Sequence, residues 1–144
     1  MKLGVFGGSF DPIHAGHIRP VAQALLQLGL DKVIFLPTAQ PPHKPGRTLA
    51  PAHRRYAMVE LALLHEEGLE ASALELETAR PAYTVESLAA LRREQPEAEL
   101  HLVIGADSFA DLHLWVRWPE ILDLARLAVL VRPGWGGERQ PPPP

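Results

Sequence analysis

Short apolar stretches and amphipathic helical stretches alternate along this chain, and the alternation constrains its fold more than any other feature. Strand-like stretches are residues 3–6, 33–36, 71–76, 102–104 and 127–131. Helical periodicity covers about residues 17–28, 51–67, 84–94 and 119–124. A repeated strand-then-helix order is typical of a parallel sheet that helices cover on both faces. The sequence therefore predicts an α/β fold with a doubly wound parallel sheet, in which ligands bind beyond the carboxyl ends of the strands.

The chain length indicates a single domain. Its 144 residues suffice for one hydrophobic core. We expect residues 1–133 to form that domain. Residues 134–144, which read GWGGERQPPPP, are predicted to be a flexible tail.

Residue types that are absent exclude several classes of protein. The chain has no cysteine, which excludes disulfides and thiolate metal sites. No apolar run reaches the length of a membrane span, and the first residues lack the pattern of a signal peptide. We therefore expect a cytoplasmic protein with no membrane partner.

Charge is distributed unevenly, although the formal net charge is only −3. Residues 12–59 contain one acidic residue, Asp31, whereas residues 60–99 contain ten. A basic third of a small domain favours a small anionic ligand over nucleic acid, which usually requires a strongly basic domain. The alternative is an ordinary solvated charged surface.

The motif GGSFDPIHAGH, which begins at Gly7, follows the first predicted strand. We expect Gly7 and Gly8 to turn tightly and to let the backbone approach a ligand, because they carry no Cβ. His14 and His17 are three residues apart where helical periodicity starts, and Pro20 is expected in the first helical turn. Free N–H groups at a helix start favour the binding of phosphate. The dinucleotide-binding motif G-x-G-x-x-G and the P-loop ending G-K-[ST] do not occur here. The motif therefore predicts a phosphate site, with a purely structural role for the histidines as the alternative.

The same motif resembles the H-x-G-H signature of the nucleotidyltransferase superfamily, and F-D-P before it resembles the bacterial nicotinate mononucleotide adenylyltransferases. Further matches follow in the order of that family: P-P-H-K at residues 41–44, P-A-Y-T at 81–84, G-A-D-S at 105–108, Trp115, and R-P-G at 132–134. The resemblance implies a Rossmann-like fold. It also implies transfer of AMP from ATP to nicotinate mononucleotide, which gives deamido-NAD and pyrophosphate in NAD biosynthesis.

For ATP, the resemblance implies a binding site made of residues from the opening motif and from the later strand ends. These are Gly7, Gly8, Ser9, Phe10, His14, His17, Gly105, Asp107 and Arg132. His14 and His17 would be the catalytic residues that hold and polarise the triphosphate. No carboxylate pattern marks a metal site of the protein, so we expect Mg²⁺ to be carried on ATP. For Asp107 the alternative is a helix cap.

For the acceptor, the resemblance implies a second set of residues: His43, Lys44, Tyr83, Thr84 and Trp115. His43 and Lys44 would contact substrate phosphates, with a solvated loop as the alternative for Lys44. Backbone N–H groups at Tyr83 and Thr84 would receive the nicotinate carboxylate, and Thr84 is also a candidate N-cap. Trp115 would stack on the pyridine ring, and Trp118 is the candidate for an ordinary core tryptophan.

One C-terminal sequence segment of the family has no counterpart in this chain. The family continues beyond R-P-G to an I-S-S-T-x-I-R-like segment that helps to bind ATP, and no such stretch occurs here, so we expect a C-terminally shortened chain. Two alternatives to the leading function stay open: another acceptor such as 4′-phosphopantetheine, or nucleotide binding without turnover. An open sheet edge would also make a homo-oligomer a hypothesis.

Overall fold

The computed structural model describes residues 1–38, 49–77 and 83–131, in which five parallel strands are connected by five α-helices. The strands are β1 (Lys2–Gly8), β2 (Lys32–Pro37), β3 (Leu69–Ala71), β4 (Glu99–Gly105) and β5 (Arg126–Leu130). The helices are α1 (Ala15–Gln27), α2 (Ala52–Leu63), α3 (Thr84–Glu94), α4 (Ala106–Ala110) and α5 (Trp118–Leu124). Short 3₁₀ segments cover Leu74–Glu77 and Leu112–Leu114. The predicted tail, residues 134–144, lies outside the described residues.

The sheet has the strand order β3-β2-β1-β4-β5, and all neighbouring strands pair in parallel. The chain moves outward from β1 to β2 and β3, then returns to place β4 on the other side of β1. This reversal makes the gap between the carboxyl ends of β1 and β4 the switch point, where open α/β sheets bind ligands. The predicted doubly wound parallel sheet is confirmed.

Each face of the sheet packs against its own pair of helices. Successive side chains of a strand point to opposite faces, so β2 contributes Leu36 to one core and Phe35 to the other. The Leu36 side packs against α3 and α5, and the Phe35 side packs against α1 and α2.

In the described part of the chain, no helix combines the length and apolar character that crossing a membrane requires.

The predicted strand at residues 71–76 is wrong. Strand β3 ends at Ala71, and the segment Leu74–Glu77 is a 3₁₀ turn. The N–H of Ser72 still donates to Phe35 O at 2.9 Å, but the Ser72 hydroxyl accepts the N–H of Leu74 at 3.2 Å and the chain leaves the sheet. Local side-chain bonds of this kind compete with a strand ladder.

Two helix boundaries also differ from the prediction. Helix α2 ends at Leu63 rather than near residue 67: the N–H of Leu64 donates to Leu61 O at 3.3 Å, and the chain then enters β3 through Gly68, whose φ is +82°. Helix α1 begins at Ala15, so Pro20 lies in the second turn and not in the first. The earlier start follows from a cap at His14.

Candidate active site

Two neighbouring cavities open at the carboxyl edge of the sheet. The larger, of about 270 Å³, lies between the ends of β1 and β4 and the start of α3. The smaller, of about 200 Å³, lies between β1, β5 and the starts of α1 and α4. Phe6, Gly105 and Ser108 line both cavities, so the two spaces adjoin. The edge can therefore hold two ligands side by side.

His14 and His17 together form the cap of α1. His14 is the N-cap residue, and its Nδ1 accepts the N–H of Gly16 at 3.1 Å. In return, the Nδ1 of His17 accepts the N–H of His14 at 3.0 Å. The two ring centroids are 3.9 Å apart, with 32° between the planes. The pair thus forms a capping box in which two imidazoles replace the usual hydroxyl and carboxylate.

This capping box determines which ring nitrogens are donors. Because each Nδ1 accepts a backbone N–H, the proton of each neutral ring is on Nε2. Burial lowers the pKa of His17, and the neighbouring His14 lowers it further. Both effects favour neutral His17, a ring that donates through Nε2 beside the positive end of the α1 dipole. The arrangement suits the oxygens of a phosphate chain.

Gly16 is required by the ring of His14. A Cβ at this position would lie 2.9 Å from Cε1 and 3.0 Å from Nδ1 of His14, closer than side chains pack. Only glycine lets the ring fold back over the N–H that it accepts. The spacing H-x-G-H therefore has a steric cause: the glycine makes room for the first histidine.

The chain leaves β1 after Gly8 and turns at Asp11 and Pro12, directly after Phe10, so the predicted turn at Gly7 and Gly8 is wrong. Phe10 has a φ of +47°, in the left-handed region that costs a side chain about 1 kcal/mol or more. The residue is 2% exposed, and its ring meets that of His17 edge-on at a centroid distance of 5.2 Å. Burial of the ring offsets the cost of this backbone conformation, and the contact with the Phe10 ring restricts movement of the His17 ring.

The start of α3 borders the larger cavity through Tyr83 and Thr84. Tyr83 is the N-cap, with no side-chain cap bond, so the alternative role of Thr84 as N-cap is wrong. Tyr83 O accepts the N–H groups of Glu86 and Ser87 at 2.9 and 3.1 Å. The N–H groups of residues 84 and 85 precede these first helical bonds, and such groups at a helix start attract an anion.

Trp115 and Trp118 have different surroundings. Trp115 is half-buried, packs against the core on the α3 side of the sheet, and lines the larger cavity. Trp118 is 36% exposed at the first position of α5, so its expected role as the core tryptophan is wrong. Trp115 alone of the two can offer a ring to a ligand in this cavity while the core holds it in place.

Glu75 is a cavity residue that sequence reasoning missed. It lines the larger cavity, is 8% exposed, and accepts the hydroxyl of Ser87 at 2.7 Å. Burial raises the pKa of Glu75, an effect that the hydrogen bond from Ser87 opposes. Ser87 lies 12 residues away in the sequence, so no local pattern could have identified Glu75.

The remaining predicted residues divide into those the structure places and those it does not. Gly105 is the N-cap of α4, so Asp107 is not the cap and instead lies in the first turn of α4, at the smaller cavity. Gly7, Gly8 and Ser9, which were expected on the ATP side, line the larger cavity and not the smaller one. His43, Lys44 and Arg132 lie outside the described residues. Within the described ranges, no three or more histidine, aspartate or glutamate side chains come together as a metal site.

Comparison with known proteins agrees with this geometry. The cytidylyltransferase-like family model matches residues 5–142. A protein of Desulfatibacillum aliphaticivorans named "probable nicotinate-nucleotide adenylyltransferase" is 42% identical over 139 residues, which cover 96% of this chain and 63% of that protein. A Thermus thermophilus protein of the same name is 42% identical over 143 residues, covering 99% of this chain and 76% of that protein. The chain thus spans less than two thirds of the length of some of these relatives.

A solved structure shows the same fold. The crystal structure of a Vibrio parahaemolyticus protein assigned to the nicotinate-nucleotide adenylyltransferases matches with a TM-score of 0.77 at 21% identity, covering 96% of this chain and 78% of that one. The resemblance inferred from the motifs is confirmed by the family model and by these relatives. The chain therefore belongs to the cytidylyltransferase-like family and groups there with the nicotinate-nucleotide adenylyltransferases.

Proposed function

We propose that this chain transfers AMP from ATP to nicotinate mononucleotide, giving deamido-NAD and pyrophosphate. The observation that carries the proposal is the histidine capping box at the start of α1, which commits both Nδ1 atoms and leaves two Nε2–H donors. The two cavities adjoin, so each can take one substrate, and His17 lines the smaller of them. The name that the relatives carry supports this choice of substrates.

The reaction requires positioning rather than a protein nucleophile. A phosphate oxygen of the mononucleotide attacks the α-phosphorus of ATP, a new P–O bond forms, and the bond to the β-phosphate oxygen breaks to release pyrophosphate. Negative charge shifts toward the leaving pyrophosphate as that bond breaks. The Nε2–H groups of His14 and His17 donate to the phosphate oxygens and stabilise this charge.

The smaller cavity is the proposed ATP side, with Gly105 and Asp107 at the end of β4. Mg²⁺ is proposed to enter on the phosphate oxygens of ATP, where it neutralises charge, because the described side chains offer no metal cage of their own. Arg132, which lies outside the described residues, remains a predicted ATP contact.

The larger cavity is the proposed acceptor side. Trp115 would stack on the pyridine ring, and the first N–H groups of α3 would receive the nicotinate carboxylate. Because burial raises the pKa of Glu75, its carboxyl resists ionisation more than an exposed glutamate does, which reduces its repulsion of that carboxylate. His43 and Lys44 remain predicted contacts of the substrate phosphates.

Pyrophosphate release with parallel acceptors tests the proposal. The purified protein is incubated with Mg-ATP and nicotinate mononucleotide, nicotinamide mononucleotide or 4′-phosphopantetheine, and the adenylated product is identified by mass. We expect release and deamido-NAD with the first acceptor. Release only with 4′-phosphopantetheine would move the chain to another acceptor class, and ATP binding without release would indicate a nucleotide-binding protein.

A further inference from the structure

Arg55 is a charged residue inside the domain, although its position in the basic third of the sequence suggests a surface cation. It is 1% exposed on α2. Its Nη1 donates to Ser9 O and to Thr38 O at 2.7 Å each, and its Nε donates to Ala50 O at 2.8 Å. One guanidinium therefore holds three backbone carbonyls from three separate segments.

Two of these carbonyls belong to residues that line the larger cavity. Ser9 directly follows β1 and Thr38 directly follows β2, and both residues line the larger cavity. The N–H of Thr38 donates to Gly8 O at 3.0 Å, which joins the two strand ends a second time. The N–H of Ala50 donates to the Asp11 carboxylate at 3.3 Å, so the third segment is tied to the same loop. Arg55 is not among the residues that line either cavity.

The loop that Arg55 holds is the one that leads to the histidines. Ser9 precedes Phe10, the residue in the left-handed region whose ring contacts His17. A residue in this backbone region persists only where its surroundings hold it. The bond from Arg55 to Ser9 O fixes the peptide immediately before that residue. Movement at Ser9 would therefore be passed to Phe10 and on to the His17 ring.

Arginine suits this task better than lysine. The guanidinium is a planar fork whose N–H groups diverge in fixed directions, so it can serve acceptors on separate segments at once. A lysine ammonium is a single point on a flexible stem and cannot keep the same three geometries. The requirement is for fork geometry as well as for positive charge.

We propose that Arg55 is a positioning residue that orients the His14–His17 pair through the Ser9 and Thr38 carbonyls, without touching substrate. The inference rests on the proposed function, because the pair is taken to act on the phosphates of ATP. A residue that acts in this way affects turnover even when the protein remains folded and its charge is kept.

Arg55→Lys tests this, with Arg54→Lys as the matched control on the exposed neighbouring position of α2. We expect Arg55→Lys to stay folded by circular dichroism, to lower kcat about tenfold or more, and to change the KM for ATP far less. Arg54→Lys should retain the wild-type kcat. A folded Arg55→Lys with wild-type kcat would overturn the proposal, as would a loss no larger than its unfolded fraction.

A second measurement does not depend on turnover. Nitrogen NMR of the two imidazoles in the full chain should show Nε2–H rings in the wild type and altered ring signals in Arg55→Lys and Arg55→Met. Unchanged histidine signals in either folded variant would contradict positioning. If the wild type gives no pyrophosphate with nicotinate mononucleotide, the proposed function fails, and these signals still decide the role of Arg55.

Discussion

Gly16→Ala should damage catalysis while leaving stability almost unchanged. The new Cβ would lie 2.9 Å from Cε1 of His14, and ordinary contact begins at 3.4 Å, so the ring must retreat by about 0.5 Å. Nδ1 of His14 is 3.1 Å from the Gly16 nitrogen, and the same retreat would take this bond beyond hydrogen-bond range. The substitution therefore acts on the first histidine of the pair.

Two effects on stability nearly cancel in this variant. Loss of the cap bond costs about 1 kcal/mol. Replacing glycine by alanine in a helix stabilises the fold by about 1 kcal/mol.

The expected effect on rate is larger. A displacement of 1 Å at a catalytic group costs roughly 10²-fold in rate, so a displacement of 0.5 Å predicts about a tenfold loss of kcat.

The assay is pyrophosphate release at saturating substrates, with Tm measured by circular dichroism. We expect kcat to fall about tenfold with little change in Tm. The control is the same substitution in a His14→Ala background, where no ring is present to be displaced and Gly16→Ala should have no further effect. An unchanged kcat, or an equal loss in both backgrounds, would refute the steric explanation.

Three further substitutions test separate parts of the site. His17→Ala should lower kcat by about 10²- to 10³-fold without loss of the fold, measured by pyrophosphate release and circular dichroism; a wild-type kcat would remove His17 from catalysis. Trp115→Ala should raise the KM for nicotinate mononucleotide more than the KM for ATP, and the opposite order would place the ring at adenine or in the core. Burial raises the pKa of Glu75, so its stabilising contribution is present below the ordinary value of 4.5 and is lost as pH rises through the native value. Urea unfolding should therefore show Glu75→Gln gaining stability over the wild type as the pH rises above 4.5, and a difference independent of pH would count against the buried carboxyl.

Periodicity predicted the sheet and the longer helices because burial imposes it directly. Helix α3 was expected at residues 84–94 and occupies Thr84–Glu94, since its apolar residues repeat at the helical period over three turns. Helix α4 was missed because its five residues are too few to show a period. The false strand at residues 71–76 shows the reverse error, since alternating leucines also occur in a turn that packs against the core.

The site was predictable where one short motif carries it and not where distant segments meet. His14 and His17 were recognised because they lie within a few residues of each other and of a helix start. The turn was assigned to the glycines, since nothing local indicates that tertiary packing holds Phe10 at positive φ. Nothing in the sequence distinguishes Arg55 from the other cations of residues 12–59, because its acceptors are backbone carbonyls as far as 46 residues away. Backbone carbonyls carry no signature in a sequence.

The stereochemical course of AMP transfer tests the central claim most directly: that the site passes AMP straight from one substrate to the other. ATP bearing sulfur at a chiral α-phosphorus is incubated with nicotinate mononucleotide, and the configuration of the thio-substituted deamido-NAD is determined by phosphorus NMR. A single in-line displacement predicts inversion at phosphorus. Retention would require two displacements through a covalent protein intermediate and would contradict the account.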